Sequence, residues 1–182
     1  MIKATIAVLG MLVTVNAVGE EQAAKWRVGA SLSYSDYETS DVSVSDSGMG
    51  IKAHAQYLFN EWLGVEGAFY VSPEFKDIQD INVAGGETET TYQGVTLHAV
   101  GYLPSFSERI DLFLKGGYFN FYDVNLKVDG ATADSGSDDG LALGFGTSFD
   151  AGNDIGVRVE FDWYDTSGAE LWTIGIGAEY RF

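Results

Sequence analysis

A period-two alternation between apolar residues and small or polar residues constrains the fold of this chain more than any other feature. In the run 26–35, for example, Trp26, Val28 and Leu32 alternate with glycines and serines. Successive residues of a β-strand point to opposite faces, so each such run predicts a strand with one apolar face. The eight runs, and therefore the eight predicted strands, cover residues 26–35, 49–59, 62–72, 94–103, 111–122, 140–149, 156–165 and 171–182. No convincing amphipathic-helix pattern follows the first twenty residues, so we predict an all-β chain.

The connections between these predicted strands alternate in length. Short connections cover 60–61, 104–109 and 150–154, whereas long ones cover 36–48, 73–90 and 123–139, with an intermediate one at 165–170. Short turns at one end and long loops at the other are typical of an antiparallel up-and-down barrel that crosses an outer membrane.

The composition of the polar face of the strands distinguishes a barrel in lipid from a soluble, lipocalin-like barrel. The polar face of a soluble barrel lies in water, where long polar side chains have room. Here that face is rich in Gly, Ala and Ser, as in strand 140–149, while Leu, Val, Ile, Phe and Trp fill the other. Small residues fit the crowded lumen of eight strands, and the apolar face fits lipid. We therefore expect an eight-stranded antiparallel transmembrane β-barrel, with interfacial aromatic residues at Trp26, Tyr57, Trp62, Trp163 and Trp172.

Residues 1–19 are expected to form a cleaved export signal. Lys3 precedes an apolar stretch at 4–15, and small residues permit cleavage after Ala17 or Gly19. The stretch is shorter than the roughly 20 residues that a transmembrane helix requires. The barrel domain is then expected to span 20–182, in the outer membrane of a Gram-negative bacterium.

The three long predicted loops and the intermediate one carry most of the negative charge. They contain 16 acidic and two basic residues, and so account for −14 of the formal net charge of −17. Such a surface argues against nucleic acid as a partner. It allows weak binding of divalent cations, but the stretch 134–140 departs from the calcium-loop pattern, so we expect no defined metal site.

The charges on the polar faces of the strands are nearly balanced, with five basic and four acidic side chains. Because buried charges must be paired, we expect a polar network in the lumen. Its predicted members are Lys52, Glu66, Lys115, Arg158, Glu160 and Glu179. We expect this network to plug the barrel. A narrow, porin-like channel for small solutes is the alternative.

Two histidines, His54 and His98, also fall on polar faces. A lipid A-modifying enzyme would need a nucleophile activated by such a base, and Ser31, Ser33 or Thr96 could be nominated. The stretch 96–100 lacks a serine-containing histidine motif. We therefore expect no catalytic residue and no cofactor, and a lipid-modifying enzyme is the less favoured third alternative.

Four stretches resemble a known family, namely the small eight-stranded outer-membrane barrels of the OmpA transmembrane-domain and OmpX-like group. They are WLGVEGAFY (62–70), LFLKGGYFNFY (112–122), VRVEFDWYD (157–165) and GIGAEYRF (175–182). In the last, Gly177, Tyr180 and Phe182 look like the signal that the barrel-assembly machinery reads. The resemblance implies insertion by that machinery, loops that face outward, an interior ion-pair cluster, and a structural or surface-interaction role. We also expect a monomer in contact with outer-membrane lipid and lipopolysaccharide.

Overall fold

The computed structural model describes residues 25–39, 45–77, 88–104, 107, 109–128, 131–166 and 169–182. The expected export signal lies outside these residues. The strands are β1 (Trp26–Thr39), β2 (Ser45–Leu58), β3 (Leu63–Val71), β4 (Phe75–Asp77), β5 (Thr88–Tyr102), β6 (Ile110–Val128), β7 (Ala131–Gly152), β8 (Ile155–Thr166) and β9 (Ala169–Arg181). Within the described part of the chain, no helix is long and apolar enough to cross a membrane.

The strands form one closed antiparallel sheet. Their order is β3-β2-β1-β9-β8-β7-β6-β5-β4, and a further pairing between β3 and β5 closes the ring. The short strand β4 continues the line of β3 along β5, where Phe75 pairs with Thr90. Nine strand segments therefore occupy eight positions, which confirms the predicted eight-stranded antiparallel barrel.

The two ends of the barrel differ, and we name them after their connections. The turn end carries Trp26, Phe182 and the three short connections that follow β2, β5 and β7. At the last of these, Gly152, Asn153 and Asp154 adopt φ angles of 86°, 55° and 62°. Positive φ values at successive residues are typical of tight hairpin turns, which explains why this connection is short. The opposite end is the loop end.

The strands extend further at the loop end than the sequence predicted. Strands β6 and β7 run to Val128 and Ala131, so most of the loop expected at 123–139 is a paired hairpin. Strands β1, β2 and β5 also continue into the expected loops 36–48 and 73–90. Alternation failed as a guide here, because a strand that projects beyond the membrane meets water on both faces and needs no apolar face.

Large apolar side chains cover the outside of the barrel. Leu97, Leu141 and Ile176, which are 61%, 61% and 59% exposed, are among many on the outward face of nearly every strand. The inward face holds the buried polar and charged side chains. A soluble barrel shows the reverse distribution, so this surface is one that contacts lipid.

The aromatic residues expected at the membrane interfaces lie toward the two ends. The rings of Trp26 and Tyr57 are 5.0 Å apart at the turn end, where Trp62 is also exposed. Trp163 and Trp172 pair across β8 and β9 toward the loop end.

A bulge at Tyr122 marks the level at which β6 leaves the regular barrel. The register of β6 shifts here against both neighbours, between Gln93 and Gly94 of β5 and between Phe121 and Val124 toward β7. A methyl group at Gly94 would lie 2.2 Å from the carbonyl oxygen of Asn120, so the close approach requires glycine. Bulges bend a sheet and increase its twist. On the loop-end side of the bulge, the sheet of β4, β5, β6 and β7 can therefore run in a different direction from the rest of the barrel wall.

The barrel closes where β9 pairs with β1, from Arg27–Arg181 at the turn end to Thr39–Ala169 at the loop end. Gly177 lies at the tightest point of this seam. A methyl group there would lie 2.2 Å from the carbonyl oxygen of Ala30 and 2.6 Å from the Cα of Ser31. The close packing of β9 on β1 therefore requires glycine at position 177 for steric reasons.

Replacing Gly177 with alanine should destabilise the barrel, because the methyl group would force β9 away from β1. We expect a loss of about 1–3 kcal/mol, the usual cost of overpacking, measured by urea unfolding of the refolded protein in detergent. Gly67→Ala is the control, since no atom lies within 4 Å of the methyl position. Equal stability of the two variants would contradict this account of the seam.

Candidate functional site

The lumen brings the predicted charged residues together near the middle of the barrel. Lys115 Nζ lies 3.3 Å from Glu66 Oε1 and 2.7 Å from Glu160 Oε2. Arg158 Nη2 lies 2.6 Å from Glu66 Oε2 and 2.9 Å from Glu160 Oε2. Lys52 forms a further ion pair with Glu160. These side chains meet because inward-facing residues recur every second position on β2, β3, β6 and β8.

Glu179 joins this centre to the turn end. Its Oε2 lies 3.8 Å from Arg158 Nη1, and its Oε1 lies 3.5 Å from Arg27 Nη1 and 3.1 Å from Arg181 Nη2. The hydroxyl of Ser148 donates a hydrogen bond of 2.7 Å to the same Oε1. All six residues predicted for the network are thus connected through ion pairs, and we call this set with its further members the lumen network.

Four further charged residues belong to the lumen network. Three of them, Arg27, Arg181 and Asp162, are among the nine polar-face charges of the sequence, whereas Asp111 was missed. Asp162 Oδ2 lies 2.6 Å from Lys52 Nζ, and its Oδ1 lies 2.7 Å from Lys115 Nζ. Asp111 Oδ2 lies 3.1 Å from Arg27 Nη2 and 3.7 Å from Arg181 Nη2. The signal that identifies Asp111 is strand parity, because Asp111 shares its face with Lys115. The described lumen network contains five basic and five acidic side chains.

The central charges are almost fully shielded from solvent. The side chains of Lys115, Glu66 and Glu160 are at most 1% exposed. An isolated charge at such a site costs several kcal/mol, so each depends on its partners. Two arginines also stack on rings, with the Arg158 guanidinium carbon 4.3 Å from the centre of Phe113 and that of Arg27 4.9 Å from the centre of Tyr102.

A layer of aromatic side chains fills the lumen between the network and the loop end. The aromatic layer consists of Tyr70, Phe75, Tyr92, Phe119, Phe121 and Tyr164, all buried and in one cluster. Neighbouring rings are close, with centroids 4.6 Å apart for Phe119–Phe121 and 5.4 Å for Phe121–Tyr164. The inward faces are therefore not made of small residues alone, because strand parity also directs these large rings inward.

Three contacts join strands that lie diametrically opposite each other. Around the ring, β1 faces β6 and β3 faces β8. From the turn end to the loop end, the contacts are Arg27–Asp111 (3.1 Å), Glu66–Arg158 (2.6 Å) and Tyr70–Tyr164 (ring centroids 6.0 Å apart). Side chains therefore cross the lumen at three levels.

The two histidines lie in the lumen at the edge of the network. His54 Nε2 is 3.9 Å from Glu179 Oε2, and His98 pairs in register with Glu66. Within the described residues, neither imidazole forms a hydrogen bond with a hydroxyl group. The histidines therefore do not form the nucleophile–base pair that acyl-transfer chemistry requires. No group of three or more His, Cys, Asp or Glu side chains in the described residues is arranged to hold a metal ion.

Comparison with known proteins supports the architecture. The family model described as outer membrane protein beta-barrel domain matches residues 5–182. No curated protein matches the sequence.

Three solved outer-membrane structures share the fold. Neisserial surface protein A (NspA) has a TM-score of 0.68 and 14% identity, over 89% of this chain and 100% of that chain. Ail of Yersinia pestis, solved with the heparin analogue sucrose octasulfate, has a TM-score of 0.64 and 18% identity, over 88% and 99%. OprG of Pseudomonas aeruginosa has a TM-score of 0.59 and 13% identity, over 88% and 97%. At these identities the likeness concerns the fold alone.

Replacing Lys115 with methionine should strongly destabilise the barrel, because three carboxylates would lose their shared cation. Breaking a buried pair in this way costs about 3–5 kcal/mol, which urea unfolding followed by gel mobility can measure. Arg109→Met, at an exposed residue next to β6, is the control and should change stability by less than about 0.5 kcal/mol.

The double variant Lys115→Met/Glu66→Gln should recover part of that loss, since it also removes one carboxylate and restores the balance of positive and negative charges in the lumen. Equal stability of Lys115→Met and the control would show that the lumen network does not hold the barrel together.

Proposed function

The chain belongs to the outer membrane protein beta-barrel domain family, and on that premise we propose that it is a non-conducting surface-interaction protein. Its barrel anchors it in the outer membrane of a Gram-negative bacterium. In this proposal the lumen is plugged, the turn end faces the periplasm and the acidic loop end faces outward. The crossing of the lumen at three levels is the observation that carries the proposal.

The crossings support a plug because each occupies the barrel axis with a different chemistry. An ion that passed Arg27 and Asp111 would meet the buried Glu66–Arg158 pair, and then the stacked rings of the aromatic layer. Eight strands leave an interior only wide enough for side chains. Conduction would therefore require several buried ion pairs and rings to move together.

The charge of the loop end supports a role in recognition. The predicted loops carry a formal charge of −14, which would repel a polyanion and attract cationic groups. Ail, with the same fold, was solved with a heparin analogue. We infer that this chain differs in its ligand class and favours cations or basic proteins. Divalent cations shared with lipopolysaccharide would be weak ligands of the same surface.

The outward-facing aromatic residues suit anchoring and assembly. We infer that Trp26, Tyr57, Trp62, Trp163 and Trp172 hold the barrel at the two interfaces. Phe182 is 62% exposed, its ring lies 4.8 Å from that of Tyr180, and its N–H donates to the carbonyl oxygen of Trp26 at 2.8 Å. The backbone is thus fixed while both rings stay accessible to the assembly machinery. Gly177, the third residue of the predicted signal, would serve the closure of the seam as well.

The purified protein should show no stable, ion-selective openings in planar lipid bilayers. A variant that removes two crossings, Glu66→Ala/Arg158→Ala/Tyr70→Ala/Tyr164→Ala, should conduct once refolding is confirmed by its heat-modifiable gel mobility. Leu141→Ala, which alters only the outer surface, is the matched control. Stable openings of the unaltered protein would overturn the plug and favour the narrow-channel alternative.

Lipid A profiles measured by mass spectrometry, with and without the protein, would test the enzyme alternative.

Deleting Phe182 should lower the amount of protein in the outer membrane several-fold, because the assembly machinery would lose part of its signal. The same deletion should change in vitro stability little, since the ring is exposed. Phe145→Ala removes another exposed ring and is the control. Normal outer-membrane levels after the deletion, measured by immunoblot of membrane fractions, would contradict the assigned role.

A further inference from the structure

A concave groove interrupts the outer surface of the barrel on strands β6 to β9. It has a volume of about 400 Å³ and is lined almost entirely by apolar atoms. This volume lies within the range of about 300–1,000 Å³ that is usual for small-molecule sites. We call it the lipid-facing groove. The side chains that line it are Leu112, Phe145, Thr147, Val159, Phe161 and Ile174.

Two short side chains form the floor of the lipid-facing groove. Thr147 and Val159 pair across β7 and β8, and both are half-buried although they occupy outward positions. The next outward row toward the loop end contains the longer side chains of Phe145, Phe161 and Ile174, which pair in register. The groove arises because a row of short residues lies beside a row of long ones.

Stacked rings form the wall of the groove on the loop-end side. The ring centroids of Phe145 and Phe161 are 5.3 Å apart, with 28° between the ring planes. Those of Phe161 and Trp172 are 6.1 Å apart, with 22° between the planes. Each ring is supported by its neighbour on the next strand, so the wall has a defined position.

The floor of the groove cannot move inward to close the space. A methyl group at Gly146, beside Thr147 on β7, would lie 2.5 Å from Cζ of Phe113 inside the lumen. The guanidinium carbon of Arg158 in turn lies 4.3 Å from the centre of the Phe113 ring. The lumen is already packed behind the floor, so the groove has to be filled from the lipid side.

The depth of the groove in the membrane identifies the leaflet that can fill it. The outward residues of β7 from Leu141 to Phe149 are apolar apart from Thr147, and a transmembrane strand needs about 9–11 residues. Thr147 is the last outward position before Phe149, at the turn end of this run. The groove therefore faces the leaflet at the turn end. In the proposed orientation that is the periplasmic leaflet, which contains phospholipid.

A flexible acyl chain fits this groove better than a second barrel does. The wall of a barrel is convex, so two barrels touch along a line and leave a concave space unfilled. An acyl chain is already in hydrocarbon, so it gains no hydrophobic free energy by entering. It gains the dispersion contacts that the floor and the rings would otherwise lack.

We propose that the lipid-facing groove holds one acyl chain of a phospholipid from the leaflet at the turn end. The chain lies on Thr147 and Val159, against the rings of Phe145 and Phe161. This phospholipid stays at a fixed place on the barrel while the surrounding lipids exchange. The site goes beyond the surface-interaction role, since it depends neither on the loop end nor on whether the lumen conducts.

The test compares two variants that add the same bulk to opposite walls of the barrel. Thr147→Phe/Val159→Phe fills the groove. Ala55→Phe/Gly67→Phe is the matched control, because these exposed residues pair across β2 and β3, which face β7 and β8 across the ring. No atom lies within 4 Å of a methyl group at Gly67, so the control position has room.

Two measurements use the full protein in phospholipid nanodiscs. In the first, a phospholipid with a diazirine midway along one acyl chain is activated by light, and mass spectrometry identifies the labelled residues. In the second, native mass spectrometry counts the phospholipids that remain after transfer into detergent. Heat-modifiable gel mobility confirms that each variant is folded.

The unaltered protein should retain one phospholipid, and its labelling on β7 and β8 should exceed that on β2 and β3 several-fold. Thr147→Phe/Val159→Phe should lose both the retained phospholipid and the excess labelling, whereas Ala55→Phe/Gly67→Phe should keep both. If the groove variant does not fold, Thr147→Leu/Val159→Leu fills part of the space and should lower both signals.

Even labelling around the barrel would overturn the proposal, as would equal retention of phospholipid by the groove variant and its control. Retention of lipopolysaccharide in place of phospholipid, in nanodiscs that contain both, would assign the groove to the other leaflet and overturn it too. A dimer that protects β7 and β8 from labelling would assign the groove to a second copy, with the same consequence.

Discussion

Closure of the backbone ladder between β1 and β9 is the constraint on which the rest of this structure depends. In hydrocarbon no water is present to satisfy an unpaired N–H or C=O group, so a sheet in lipid must close on itself. The chain meets this requirement with an unbroken register from Arg27–Arg181 to Thr39–Ala169. The seam is so close that only glycine fits at Gly177 without displacement. Gly177 thereby satisfies a steric demand of the seam.

Closure into eight strands also dictates the chemistry of the lumen. The ring is narrow, so inward-facing side chains reach the opposite wall, as Glu66 reaches Arg158. Because these charges are removed from water, they must be balanced by direct contact. Toward the loop end the same space is filled by rings that need no partner charge, such as Tyr70 and Tyr164. The described inward-facing side chains are thus packed as in the core of a protein.

The requirement for a closed sheet ends where the strands leave the membrane. Above the bulge at Tyr122 the sheet need not close, because water can satisfy exposed backbone groups. Within the described residues, strand β7 consequently continues past the end of its pairing with β8, while β4 pairs with β5 on the other side of the sheet.

The sequence by itself determined the barrel, its strand number and the inward or outward face of most residues in the eight predicted strands, because a period of two and alternating connection lengths are local properties. Strand parity also placed Lys52, Glu66, Lys115, Arg158, Glu160 and Glu179 inside. Only the tertiary structure decided which of these charges touch, that Asp111 joins them, and that a cluster of aromatic rings lies beyond them toward the loop end. Such contacts depend on register and on which strands face each other across the ring, which no local pattern encodes. The extent of β6 and β7 was likewise hidden, because strands surrounded by water lose the alternation that reveals them.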